Sequence, residues 1–445
     1  MGALNHDSGI HAVNEILSAL LLLSVPLLPI VLAFPPLRSR ISHPCYIALL
    51  PAITLLAVPS VFAIELPWLL FGSGLGVDGA SRWLLVMSVV IWAAAATLLQ
   101  PPAGQTADNR LTVFFLLTMA GNLGAIVTTD VVGFFTFSAL MGYSFYGLLV
   151  AGGDETARRA GSIYLGFMIV ADLLLFEALL IAAATTSDMG FEAVRHAVSR
   201  SPSPGLYVSL VLAGFALKAG LWPLHSWLPL AFRSARPAVA LLVGGVPIAM
   251  GLLGMVRWLP LGEITLPGPG LIIQILGVAA ILYAIVAGVK RAQLKLLPAY
   301  ATIIATGIFA TAVGAGVADP AAWKQYGNFS YFFIVSLGFG IVVVVTAICW
   351  LQANRHTPAA LAKQADDSSL WIERRAGAFV RWGGEMGFDT LPRLRASLLA
   401  LADSLPQIRA WRKAVDAVEH SLQRWILAIT LLLLLGIASL FLAAC

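Results

Sequence analysis

The chain has 445 residues, 59% hydrophobic and 11% charged, with a formal net charge of +5. Soluble domains hold roughly 45–50% apolar and about 25% charged residues, so no soluble core could absorb this surplus. Apolar runs of about 20 residues recur along most of the length, each long enough to cross a hydrocarbon core of roughly 30 Å as a helix. Helices are required because lipid satisfies no free backbone group. Stretches such as Leu427 to Leu442 are continuously apolar, which excludes the alternating strands of a membrane barrel. The expected fold class is all-α, a polytopic membrane bundle of about twelve spans.

In chain order the spans are expected at 12–34, 45–65, 81–99, 111–128, 131–151, 161–186, 206–227, 236–258, 270–290, 295–317, 329–351 and 425–444. No small-residue cleavage pattern follows the first run, which reads as a retained span and not a signal peptide. Asp78 and Asp130 stand just before the third and fifth spans, where a short acidic side chain serves as a helix cap. The scattered Cys45, Cys349 and Cys445 show no CxxC pairing, and no metal, iron–sulfur, haem or other cofactor is expected.

With the N-terminus outside, Arg38, Arg40, Arg110, Arg158, Arg159, Arg233, Arg236, Lys290, Arg291 and Lys295 fall at cytoplasmic ends. The opposite ends hold chiefly Arg82, Arg195, Arg200, Arg257 and Lys324. The positive-inside rule thus sets the orientation and places the polar stretch 352–424 in the cytoplasm of a bacterial-type inner membrane. In that stretch Leu394, Leu398, Leu401, Leu405, Ile408, Trp411, Val415, Val418 and Leu422 form one apolar stripe beside several arginines, with a kink expected at Pro406. Such a basic amphipathic helix lies on a membrane surface, on neighbouring subunits, or on its own protein.

Charges inside spans are expensive and mark functional candidates. Four stand out: Asp172, Glu177, Lys218 and His225. From Phe215 to Pro237 the chain reads FALKAGLWPLHSWLPLAFRSARP, a lysine in an apolar helix soon interrupted by Gly220 and Pro223. A buried lysine beside a hydrated break is a proton-relay candidate, because burial favours its neutral form and a nearby carboxylate its charged form. The alternative is a lysine that only holds helices together. His225, seven residues on, would share the face of Lys218 on an unbroken helix and could extend the relay or cap an interface. Asp172 and Glu177 lie about 140° apart around one helix, so at most one faces Lys218.

Three stretches carry a family resemblance. GLGVDGASRWLLVMSVVIW from Gly74 to Trp92 resembles a DGxS segment opening the third span. LKAGLWPLHSWLPLAFRSARPAVALL from Leu217 to Leu242 resembles a lysine helix followed by PxHxWLPxA. RAQLKLLPAYATIIATG from Arg291 to Gly307 resembles QxDLKRLLAYSS. Together they are similar to the antiporter-like subunits shared by complex I (NADH:quinone oxidoreductase), membrane-bound hydrogenases and Mrp-type cation/proton antiporters. The resemblance implies two inverted five-helix repeats, each forming half of a proton path through a broken helix, with Lys218 at the relay lysine.

It also implies a division into a three-span segment 1–110, a first repeat 111–258, a shortened second repeat 259–351, the cytoplasmic segment 352–424 and a last span 425–445. Lys295 and Tyr300 are the second-repeat candidates. The chain departs from the pattern where FWEL becomes FSAL, putting Ala139 at the usual glutamate. The eighth span holds Val243 and Ala249 where a lysine or histidine is expected, and Ala305 replaces a histidine common in the tenth.

Two expectations follow. One is an ion-translocating subunit working through Lys218, with His225, Asp172 or Glu177 and Asp130 as further ion-path candidates. The other is a non-pumping scaffold that docks partners through its cytoplasmic helix. Expected partners are other membrane subunits, with iron–sulfur redox subunits in a redox-driven complex, the bilayer, and protons or sodium; nucleic acid is not among them.

Overall fold

The computed structural model describes residues 2–58, 62–66, 73–100, 108–151, 153, 155–291 and 296–326, with side chains from residue 17 onward. The expected spans 329–351 and 425–444, the amphipathic stretch 352–424 and Lys295 lie outside the described residues. The chain opens with α1 (Gly2–Ala33), followed by the short helices α2 (Pro35–Arg38), α3 (Pro44–Ile47) and α4 (Leu50–Ala57). Helix α4 ends early because Val58 precedes Pro59, which pushes it to extended backbone with ψ 115°.

The expected second span 45–65 is therefore corrected. Its last residues form strand β1 (Phe62–Glu65), paired antiparallel with β2 (Gly74–Val77), Phe62 opposite Val77. Local chemistry selects this hairpin over helix. Gly74 and Gly76 pass so close to Thr129 that a Cβ on either would overlap its side chain. The fold is thus helical with one small hairpin, where all-α was expected.

Helices α5 (Gly79–Leu99), α6 (Asn109–Val127), α7 (Val131–Val150) and α8 (Glu155–Thr185) follow, then the short α9 (Phe191–Ser199). A broken pair comes next, α10 (Pro204–Ala219) and α11 (Trp227–Ser234), then a second, α12 (Pro237–Gly245) and α13 (Pro247–Trp258). The described part closes with α14 (Pro267–Arg291), α15 (Leu297–Ala318) and α16 (Pro320–Tyr326). Among the described residues, seven helices are long and apolar enough to cross a membrane, with α12–α13 counting as one.

Apolar side chains are exposed on outward faces, such as Leu271, Ile275, Val278, Leu282 and Ile285 along α14. A face of this kind suits lipid. Between helices, small residues set the spacing: Gly277 on α14 meets Gly307 on α15, and a Cβ on either would stand within 2.7 Å of the other's carbonyl oxygen.

The two ends of the bundle are tied differently. At one end Arg236 donates to the Ala151 carbonyl, bringing the α11–α12 turn to the α7–α8 turn that carries Arg158 and Arg159. At the other, Leu75 bridges Thr128 and Asp130 bridges Gly190, joining the hairpin, the α6–α7 corner and the turn before α9.

Candidate functional site

Helix α10 ends inside the bundle because Gly220 takes the left-handed conformation at φ 61°, which glycine adopts without a Cβ penalty. The Leu221 amide reaches back to the Ala216 carbonyl, closing the helix with the 6→1 bond of a Schellman turn. Pro223, with no N–H, lies in the connection to α11. The expected break at Gly220 and Pro223 is present, and it leaves Lys218 in the last turn of α10, where a helix's negative end favours a cation.

Lys218 is 1% exposed. Its Nζ lies 2.7 Å from Asp172 Oδ1 on α8 and donates to Ser138 Oγ on α7 at 3.0 Å. Three helices thus converge on one ammonium. A hydroxyl can accept from an ammonium and donate to a neutral amine, so Ser138 suits both protonation states of the lysine. The residue aligned with the family glutamate, Ala139, is its neighbour; the carboxylate here comes from α8 instead.

Of the two acidic candidates in the sixth span, Asp172 faces the lysine. Glu177 lies on the exposed face of α8, beside Phe176, whose ring meets Phe135 in the first turn of α7. The sequence carried a signal for this choice: Ala157, Ala160, Gly161, Ala171, Ala178 and Ala182 are all buried, and small residues mark packed faces of membrane helices. Ser138 is the polar contributor that sequence reasoning missed.

His225 is fully buried in the break and packs edge-on against Tyr283 of α14, centroids 4.8 Å apart. The break overturns the shared helical face expected for Lys218 and His225. Tyr300, at the start of α15, is buried beside Gly288. Val243 and Ala249 are buried, and the hydroxyls of Thr302 and Thr306 bond to carbonyls of their own helix.

Asp130 receives donors from four groups: the Gly133 amide at 2.7 Å, the Gly74 amide at 2.9 Å, and the hydroxyls of Ser73 and Thr128. Its carboxylate is occupied in capping α7 and anchoring the hairpin. Asp78 caps α5 through the Ser81 amide. Arg257, read from sequence as one of the few basic residues at its end, is buried. Its guanidinium donates to the carbonyls of Ala125, Ile126 and Thr128 and to Ser81 Oγ, and lies over the Phe191 ring. It thereby satisfies carbonyls at the end of α6 that have no partner within the helix. The DGxS segment is accounted for here, since Asp78 and Ser81 both serve this junction.

A helical bundle with outward apolar faces and a buried lysine–aspartate pair at a helix break defines a polytopic membrane protein of the ion-handling kind. Residues 107–356 match the NADH:quinone oxidoreductase/Mrp antiporter transmembrane family, and the chain belongs to it. It is 28% identical over 207 residues to hydrogenase-4 component B of Escherichia coli (strain K12), covering 45% of this chain and 30% of that one. With a probable K(+)/H(+) antiporter protein of Rhizobium meliloti (strain 1021) the identity is 32% over 175 residues, covering 38% and 32%. The chain spans about a third of the length of these relatives. In fold it is similar to a chain of the Mrp complex from Dietzia sp., with TM-score 0.63 at 19% identity over 76% of this chain and 38% of that one.

Proposed function

We propose that this chain is a proton- or cation-translocating membrane subunit of a multi-subunit complex, with Lys218 and Asp172 as its proton-carrying pair. The observation that carries the reading is their 2.7 Å contact, buried beside a helix break and shared with Ser138. Moving Asp172 away from Lys218 by a few ångströms lowers the lysine's proton affinity, and its return raises it. His225 and Tyr300 extend the path toward the second repeat, while Glu177 and Asp130 stand off the Lys218 face. The names of the relatives, a hydrogenase component and a cation/proton antiporter, support the same class of activity.

The subunit works among other membrane subunits, joined by iron–sulfur proteins where a redox reaction drives it. It lies in a bacterial-type inner membrane with its N-terminus outside. The division at residues 110, 258, 351 and 424 and the inverted repeats are part of this reading. Lys218→Ala in the assembled complex abolishes ion translocation into sealed vesicles; unchanged translocation would refute the proposal. Copurified polypeptides identify the complex, iron–sulfur proteins indicating a redox pump.

A second reading, a scaffold that no longer pumps, is favoured by Ala139, Val243, Ala249 and Ala305 standing where the family pattern holds titratable groups. It requires Lys218→Ala to be silent and deletion of 370–422 to disassemble the complex.

A further inference from the structure

Beneath the Lys218–Asp172 pair runs a buried seam that the proton-carrying reading leaves unused. Tyr164 lies on α8 about two turns from Asp172, on the same buried stripe. Its side chain is fully buried, and its hydroxyl has no partner among the described residues. Trp227, at the start of α11, is also fully buried, and its Nε1 likewise lacks an acceptor. The two rings meet edge-on with centroids 5.0 Å apart.

The seam has polar groups at both ends. Upward, the Tyr164 hydroxyl stands opposite Gly142, where an added methyl group would lie 3.8 Å from it and 3.6 Å from Met168 Sδ. Gly142 is one turn along α7 from Ser138, which holds Lys218. Downward, a methyl group on Gly220 would stand 3.2 Å from Trp227 Nε1, so the indole donor abuts the break in the lysine helix. Leaving buried donors unmade costs about 1–3 kcal/mol each, and native proteins meet this by placing water at polar sites with several possible partners.

We propose that bound water occupies the seam between Tyr164 and Trp227, and that the Tyr164 hydroxyl relays protons between the break at Gly220 and the Asp172–Lys218 pair. In each passage the hydroxyl gives its proton to water on the Asp172 side and takes one from water on the break side, so the tyrosine ends neutral. The inference rests on the proton-carrying role assigned to that pair.

Two measurements on the intact complex test it. Radiolytic hydroxyl-radical footprinting generates radicals from bound water, and it labels Tyr164 and Trp227 well above Tyr207, an equally buried tyrosine whose hydroxyl donates to the Trp258 carbonyl. Labelling of Tyr164 and Trp227 no stronger than that of Tyr207 would overturn the water site. In sealed vesicles, Tyr164→Phe keeps the ring and removes the relay, and translocation falls by at least about tenfold while the complex still copurifies intact. If Tyr164→Phe translocates normally while Lys218→Ala is inactive, the relay is refuted and the role of Lys218 stands. If both translocate normally, the proton-carrying reading fails and the relay falls with it.

Discussion

A lysine buried in a bilayer bundle is tolerable only when a counter-charge and hydrogen-bond partners replace water, and Lys218 has both in Asp172 and Ser138. Removing one member of such a pair strands the other. Asp172→Ala is expected to destabilise the protein by about 3–5 kcal/mol, and the double variant Asp172→Ala, Lys218→Met to recover most of that loss, because an apolar replacement of the whole pair leaves no buried charge. Thermal unfolding of the purified protein in detergent measures both. The lysine was legible in the sequence because one charge in an apolar run announces itself. Its carboxylate was narrowed to two residues by helical angle, and packing chose between them. Ser138 was not legible as a partner, since serine is common in membrane helices and nothing in one chain says which hydroxyl faces a distant lysine.

At the scale of elements, the break that holds Lys218 follows from Gly220 and Pro223, and both were readable as helix stops. The second span was not. Its apolar run looked continuous, but Val58–Pro59 ends the helix and the residues after it pair with Gly74–Val77. Close helix packing supplies a sharper test. Gly277→Val would press a branched side chain into the backbone of α15 and is expected to cost about 1–3 kcal/mol or more. Gly79→Ala, at a position with nothing within 4 Å, should be neutral within about 0.5 kcal/mol. Equal loss of thermal stability in the two variants would contradict this packing. Arg257 belongs to the same scale: it joins α13 to the ends of α5 and α6, a tie between segments some 130 to 176 residues apart.

For the molecule as a whole, the arginines of the α7–α8 and α11–α12 turns gather at one end, while Asp78, Asp130 and Arg257 meet at the other. An N-terminus on the outside predicts that, with the native cysteines replaced, a membrane-impermeant thiol reagent labels Asp188→Cys in intact cells and leaves Glu155→Cys unlabelled until the membrane is opened; the reverse pattern would invert the topology. Composition alone determined that the chain is a helical membrane protein, because an excess of apolar residues in runs of bilayer length has no other stable arrangement. Local motif chemistry determined where the lysine helix breaks, since a glycine–proline interruption acts within a few residues. Only the tertiary structure decided what surrounds Lys218 there. Asp172 and Ser138 come from helices 46 and 80 residues away along the chain, and their meeting depends on how α7, α8 and α10 pack together.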